Sequence, residues 1–428
     1  MRVIHLTPGT GNFHCGSCLR DHALAKAMRA QGHDVVIVPL YLPMVLDEDE
    51  EEPLAPLFLG GINMFLQQKS ALFRYTPLWM DRFFDRESLL RKASERAGMT
   101  RAKDLGEMTV SSLRGTDGRQ GKELKKLIDW IASQPPPDLI YFSNGLLTGV
   151  ARAIREALNL PCICALQGED SFIESLPDPY REECWALFRD NTRYVEKFLP
   201  VSEYYSRQMQ GFLKMDGEKF LTIHNGIDAL GDEGVGRENT PLEIGYLARM
   251  CFGKGMHTLV DAFIELRKRG RVEPRLILAG TRTSIDVDYI AEQERKLSEA
   301  GLAEAYELRS NVSREEKVEL LKGLSVFSVP ATYGEAFGLY VLESLSCGTP
   351  VVQPRHGAFP ELIEATGGGL LCEPDDASDL SLKLEELLLD STRRKELGSV
   401  GQTKTHAHFS SRRMGDEVLA LYEKILAR

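Results

Sequence analysis

Short β-branched runs alternate with amphipathic stretches along almost the whole chain, a rhythm that predicts parallel sheets assembled from βαβ units. The first series of strands falls at Val3 to Leu6, Asp34 to Val38, Leu139 to Phe142, Cys162 to Leu166, Phe198 to Val201 and Leu221 to His224. Helical patterns fill the intervals. In Ser17 to Gln31 the residues Leu19, Ala23, Ala27 and Ala30 share a face, and Gly32 supplies the stop. A second series restarts at Ile244 to Leu247 and continues through Leu276 to Ala279, Tyr306 to Leu308, Val326 to Val329, Val351 to Gln353 and Leu370 to Cys372. Between the two series, Asp228 to Thr240 is polar, carries Gly231, Gly234 and Gly236, and has no apolar period, as a connector would. The pattern predicts one α/β domain over 1–235, a second over 236–410, and a terminal helix in 411–428 able to pack back on the first.

Residues 43–130 break the rhythm and read as an insertion. The acidic run Asp47 to Glu52 predicts a solvated loop. Met64, Phe65, Phe73, Tyr75, Trp79, Phe83 and Phe84 have roughly helical spacing, which predicts inward packing. An acceptor pocket or a surface against lipid headgroups is the other reading, and it leaves peripheral membrane contact open. No spanning segment is predicted, since the apolar stretch Val35 to Leu46 is broken by Pro39 and Pro43 and falls short of the roughly 18 residues required. The opening residues show no basic region followed by a long apolar one, so no secretory leader is expected and the location reads as cytoplasmic.

A length of 428 residues suits two domains of roughly 200 each. The 52 Lys and Arg against 63 Asp and Glu give a net charge of -11, which disfavours nucleic acid as a partner. Eight cysteines are too few for a disulfide scaffold, and Cys15-x-x-Cys18 has no second pair to complete a zinc site.

The candidate chemistry sits in two strand-loop-helix segments of the second series. Pro330-Ala-Thr-Tyr-Gly-Glu-Ala-Phe-Gly-Leu-Tyr-Val-Leu-Glu343 follows a strand and opens a helix. Its glycines, Gly334 and Gly338, let a ligand approach the backbone, and the free amides at Phe337 to Tyr340 suit a diphosphate. Glu335 and Glu343 place two carboxylates at different depths, one for sugar hydroxyls beside the reacting carbon and one for the paired hydroxyls of a ribose. Ile244-Gly-Tyr-Leu-Ala-Arg249-Met-Cys-Phe-Gly-Lys254 repeats the strand-loop-helix arrangement. Arg249 and Lys254 supply fixed positive charge for a departing diphosphate without a divalent metal. Asp286-Val-Asp288 is the nearest thing to a metal-binding DxD pair and reads more simply as helix capping. No metal site and no cofactor are expected.

Together these residues resemble the donor site of the GT-B retaining glycosyltransferases, in particular glycosyltransferase family 4, the group 1 transferases. That family's pattern is E-x7-E plus an Arg and a Lys after the first strand of the second domain. Asn225-Gly-Ile-Asp228, Val201-Ser-Glu203 and Gly348-Thr-Pro-Val-Val352 are similar punctuation. The resemblance implies two Rossmann-like domains facing a cleft, with the acceptor on the first and a nucleotide-sugar donor on the second. It implies that Arg249 and Lys254 hold the diphosphate, Glu343 the ribose and Glu335 the donor sugar. Phe337, Gly338 and Leu339 would offer amides to the phosphate, and Asn311 and Val312 stand where the family packs the nucleobase.

On the first-domain side, Gly16 matches one glycine of the family's usual pair, with Cys15 in place of the other. Gly11 and Gly16 would let this loop approach the donor phosphates. Gln167 replaces the family's frequent histidine: it can bond a sugar hydroxyl but carries no charge near neutral pH, so sugar preference does not transfer from histidine-bearing relatives. Glu169 and Asp170 read equally as acceptor contacts or as a helix start, and His14 is a further acceptor candidate. The resulting expectation is a hexosyltransferase that moves a sugar, with retention, from a nucleoside-diphosphate sugar to a hydroxyl acceptor: a glycan, a lipid or a small molecule. The alternatives are a nucleotide-sugar hydrolase or epimerase of the same fold, and a noncatalytic nucleotide-sugar-binding protein.

Overall fold

In the first half of the chain the apolar runs form a five-stranded sheet: β1 (Arg2–Thr7), β2 (Asp34–Pro39), β3 (Leu139–Phe142), β4 (Cys162–Leu166) and β5 (Lys197–Pro200). All pairings are parallel and the order is β2-β1-β3-β4-β5. Every residue of β3 and β4 is buried, as strands covered by helices on both faces require. The computed structural model describes residues 1–9, 16–42, 57–59, 61–74, 76, 102–230, 241–283 and 285–427.

The sixth strand expected at Leu221 to His224 does not form, for a local reason. The amides of Leu221 and Ile223 donate to the carbonyls of Phe198 and Pro200, at 2.9 and 3.0 Å, so the segment runs along β5. The return bond of a parallel ladder would come from residue 200, and a proline has no N–H to give.

The second series folds into a six-stranded parallel sheet: β6 (Glu243–Leu247), β7 (Arg275–Gly280), β8 (Tyr306–Ser310), β9 (Val326–Phe327), β10 (Val351–Pro354) and β11 (Gly369–Cys372). Its order, β11-β10-β9-β6-β7-β8, puts β6 inside the sheet with β7 and β8 to one side and β9 to β11 to the other. The chain therefore reverses its direction of winding between β6 and β9, the place where loops diverge and ligands bind in open α/β sheets.

The chain divides into two units, Met1–Gly226 with Ser411–Arg428, and Ile227–Ser410. The division thus lies at 226/227, earlier than the polar connector suggested, and residues 231–240 of that connector lie outside the described residues. The C-terminal helix Ser411–Leu426 is part of the first core: Met414, Val418, Leu419 and Tyr422 pack with Val3, Leu24, Val35 and Ile163. Gly415 makes the approach to helix Gly16–Arg29 close, since a Cβ there would stand 3.1 Å from that of Ala27.

Within the insertion, helix Gly61–Lys69 is joined to helix Gly121–Ser133 and its N-cap by Gln67 to Glu123 at 2.8 Å and Gln120 to Gln68 at 3.1 Å, and to helix Ala102–Leu113 by Gln68 to Glu107 at 3.3 Å. Met64 is buried but Phe65 is exposed, contrary to the inward packing expected of it. The acidic run and Tyr75, Trp79, Phe83 and Phe84 lie outside the described residues. No helix among the described residues is long and apolar enough to cross a membrane.

Candidate functional site

Three loops of the second unit meet at the carboxyl ends of β6, β9 and β10. The β6 loop passes through a single 3-10 turn, Phe252–Lys254, and enters helix Met256–Arg269 at Gly255. Gly255 has φ +70°, and a Cβ there would fall 1.7 Å from the Pro330 carbonyl oxygen, so only glycine lets this loop lie against the start of the β9 loop. The Thr332 amide then donates to the Gly253 carbonyl at 3.0 Å and ties the two loops. From the other side the β10 loop supports Glu335: the Ala358 amide donates to its carbonyl at 3.0 Å, and Gly357, at φ +60°, passes so close that a Cβ would meet the Glu335 nitrogen at 2.6 Å.

This arrangement brings Lys254 and Glu335 into an ion pair, Nζ on Oε2. The same oxygen accepts from the hydroxyls of Tyr340 at 2.9 Å and Tyr333 at 3.3 Å, and the ammonium lies 5.1 and 5.5 Å from the centres of the Tyr333 and Tyr340 rings. Burial opposes the charge on Lys254, but Glu335 and then Tyr333 outweigh it and hold the ammonium above the ordinary lysine value. Burial, and then Glu335, push the Tyr333 phenol up to about 12, and the Tyr340 phenol is raised by the same two causes. The group is thus one cation, one carboxylate and two neutral hydroxyls.

The E-x7-E helix begins at Leu339, with Gly338 as its left-handed N-cap at φ +97° and no side chain capping it. Its first amides are therefore available to an anion. Phe337 is buried in the core beside Phe409, so its side chain is not part of an open site. Glu343 pairs with Lys317 Nζ at 2.9 Å, with both side chains less than a fifth exposed.

Arg249 is directed to Asp286, whose two oxygens lie 3.2 and 3.3 Å from Nη2 and Nε. Asp286 was read as a helix cap, yet no side-chain bond caps helix Val287–Glu299: the carboxylate instead accepts from Arg249 and from the amide and hydroxyl of Thr283. Asn311 stands exposed at the end of β8 with φ +56°, Val312 is half-buried, and Ser313 starts helix Arg314–Gly323 with a capping box completed by Glu316.

In the first unit, Gly16 is the exposed first residue of its helix, and His14 and Gly11 lie outside the described residues. The Gln167 amide donates to the Ser143 carbonyl at 2.6 Å. Glu169 is buried and accepts from the amides of Gly145 at 2.6 Å, Gln167 at 2.9 Å and Gly168 at 3.0 Å and from the Tyr205 hydroxyl at 2.8 Å. Desolvation raises its pKa, and those donors oppose the rise. Its carboxylate fixes the turn rather than offering an oxygen outward. Asp170 accepts from Gln208 Nε2, and burial raises its pKa as well.

Four polar partners escaped the sequence reading: Tyr333, Tyr340, Asp286 and Lys317. The two tyrosines flank Glu335 inside the quoted motif, which was the available signal. Asp286 and Lys317 are joined to Arg249 and Glu343 only by tertiary contact.

A sequence model of the group 1 glycosyl transferases matches residues 232–404. Over 176 residues the chain is 31% identical to an MMP alpha-(1->4)-mannosyltransferase of Mycolicibacterium hassiacum, 41% of each chain being covered. It is 28% identical over 183 residues to a D-inositol 3-phosphate glycosyltransferase of Corynebacterium jeikeium, covering 42% of this chain and 43% of that one. The match therefore spans about two fifths of the length of these curated relatives. Among solved structures, sucrose-phosphate synthase from Thermosynechococcus elongatus superposes with a TM-score of 0.74 at 17% identity, all of both chains being covered. Anabaena HepE in complex with UDP and glucose superposes with 0.71 at 17% identity, covering 98% of this chain and 99% of that one. The chain has the GT-B fold of these structures, and its stretch 232–404 carries the sequence pattern of the group 1 glycosyl transferases.

Proposed function

We propose that the protein is a retaining glycosyltransferase that moves a sugar from a nucleoside-diphosphate donor to a hydroxyl acceptor, with the donor held by the second unit. One observation carries this reading: Lys254 and Glu335 meet at the β6/β9 reversal beside an uncapped helix start. Both halves of a leaving-group site are thereby in one place, a cation and a set of free amides, with a carboxylate next to them for the sugar.

When the donor binds, the diphosphate takes over Lys254, and Glu335 turns its oxygens to hydroxyls of the sugar. The bond between the anomeric carbon and the diphosphate oxygen breaks, and the electron pair leaves with the diphosphate, where Lys254 and the amides of Gly338 and Leu339 stabilise it. The acceptor oxygen bonds to the same face of the sugar, and its proton passes to the departing phosphate oxygen. Arg249, steadied by Asp286, adds a second positive charge, and Glu343 accepts the paired ribose hydroxyls. A donor of this class is bound in a structural neighbour, Anabaena HepE in complex with UDP-glucose. Gly16 and Gln167 are assigned to the donor and His14 and Asp170 to the acceptor, and no divalent metal takes part.

The test begins with a thermal-shift screen of UDP, GDP, ADP and their sugar conjugates, because a ligand bound only by the folded state raises apparent stability. Product analysis with the stabilising donor follows, with anomeric configuration read by proton NMR. Absence of stabilisation by every nucleoside diphosphate, or an inverted product, overturns the reading.

A further inference from the structure

The exposed ring of Phe252 has no place in the donor chemistry, although it begins the same turn that ends in Lys254. It is 62% exposed. Its inner face stacks on His257, with ring centroids 4.4 Å apart and planes 11° from parallel. His257 is held in turn by the Tyr289 hydroxyl at 2.8 Å from Nδ1, so the platform beneath Phe252 is fixed.

This platform borders a cavity of about 420 Å³ lined also by Thr258, Asp261, Thr332 and Asp375. The size falls within the roughly 300 to 1,000 Å³ of small-ligand sites. The polar groups around it are hydroxyls and carboxylates, and little net charge remains. Lys296 Nζ lies 2.9 and 3.0 Å from the two oxygens of Asp261 and neutralises it. Burial lowers the pKa of His257, so the imidazole is neutral at pH 7. Asp375 is left as the main anionic wall of the cavity. A flat apolar ring, hydroxyls and a carboxylate acceptor match the surface of a pyranose, which presents an apolar C–H face and an edge of hydroxyl donors. A cationic ligand would be served by a more acidic wall, and an anionic one by none of these groups.

We propose that this cavity is a second carbohydrate subsite, which grips one residue of a neutral glycan by stacking it on Phe252 with its hydroxyls toward Asp375, Thr258 and Thr332. Since Thr332 and Phe252 belong to the two loops that carry Glu335 and Lys254, a glycan held here lies beside the donor turn. The link to transfer rests on the function proposed above, but the binding itself does not and can be measured without a donor.

The full-length protein is applied to an array of immobilised neutral gluco-, manno- and galacto-oligosaccharides, and the strongest binder is titrated by calorimetry. Binding is expected, with a loss of about tenfold or more in Phe252→Ala, retention in Phe252→Trp, and a smaller loss in Asp375→Asn. Saturating nucleoside diphosphate is expected to leave glycan binding in place. The proposal is overturned if no oligosaccharide on the array binds, if Phe252→Ala binds as the parent does, or if the nucleotide displaces the glycan. It is also overturned if spermidine, and no glycan, binds in an Asp375-dependent way. Because Phe252 is exposed, the alanine variant is expected to keep the parent's circular dichroism. A failure here alongside a normal thermal shift with a donor leaves the transferase reading standing.

Discussion

Removing either member of the Lys254 and Glu335 pair should affect stability and diphosphate binding in different ways. The side chains are 19% and 15% exposed. Truncating one partner of a fully buried pair costs about 3–5 kcal/mol because the other charge is stranded, and the partial exposure here scales this to about 2–3 kcal/mol for Lys254→Ala. Of that, loss of the contacts with the Tyr333 and Tyr340 rings contributes about 0.5–1 kcal/mol each. Glu335→Gln strands an ammonium that can reach water along its own stem, so a smaller loss of about 1 kcal/mol is expected. The double variant should be more stable than Lys254→Ala alone, because no orphaned carboxylate remains. Urea titration of the four proteins measures this cycle. Calorimetric titration with the preferred nucleoside diphosphate gives the second half. Glu335→Gln should bind it about 2–10 times more tightly, since Lys254 no longer has a competing anion, whereas Lys254→Ala should bind it about 10–100 times more weakly. Transfer should fall by about 100-fold or more in both. If Glu335→Gln weakens diphosphate binding as much as Lys254→Ala does, the two side chains do not exchange partners on binding and the proposed order of events is wrong.

Four further outcomes are expected. His5 is buried against Tyr141 with a pKa driven down to about 3, first by desolvation and then by Arg20 and Arg29. Its neutral ring therefore stabilises the first unit above pH 6.5, and that contribution is lost on acidification, by about 2 kcal/mol between pH 6.5 and 5. In His5→Phe the acid limb of a plot of stability against pH should flatten by that amount, and an unchanged limb would refute the assignment. Gly357→Ala forces a Cβ to within 2.6 Å of the Glu335 backbone at a left-handed φ, so it should cost about 1–2 kcal/mol of stability and lower kcat/KM about tenfold or more through displacement of the carboxylate. Asp286→Asn releases Arg249, whose side chain is 45% exposed, so stability should change by less than about 1 kcal/mol while the donor KM rises. An unchanged KM would remove Arg249 from the donor site. Deleting residues 411–428 should unfold the first unit, read as loss of protease resistance in 1–226, because Met414, Val418 and Tyr422 leave a hole in its core.

The alternation of strand and helix was legible because nearly every β-branched run in the sequence is buried on both faces, which leaves no ambiguity of period. Leu221 to Ile223 misled because the residue that breaks its ladder, Pro200, lies on the neighbouring strand and not within the run itself. Glu335 and Lys254 stood out through the glycines around them, which are there because two loops approach to van der Waals contact. The reverse holds for Asp286: a carboxylate before a helix has the same local signature whether it caps the helix or reaches back to an arginine, and only the position of Arg249 decides. Glu169 shows the same limit, since its four donors come from three separate segments of the chain.

The return of Ser411–Leu426 to the first sheet bears on how the protein is made. The first sheet precedes the second unit in the chain and the helix that completes its covering follows it, so that sheet leaves the ribosome with this face only partly covered by helix Gly16–Arg29, and the whole of the second unit is translated before the covering is complete. The Ile227 amide donates to the Phe409 carbonyl at 2.8 Å, which makes the outgoing and returning crossings neighbours. An exchange of the second unit between two such chains needs two cuts, one at each crossing, and a single fusion point in this region would leave the first sheet without its last layer.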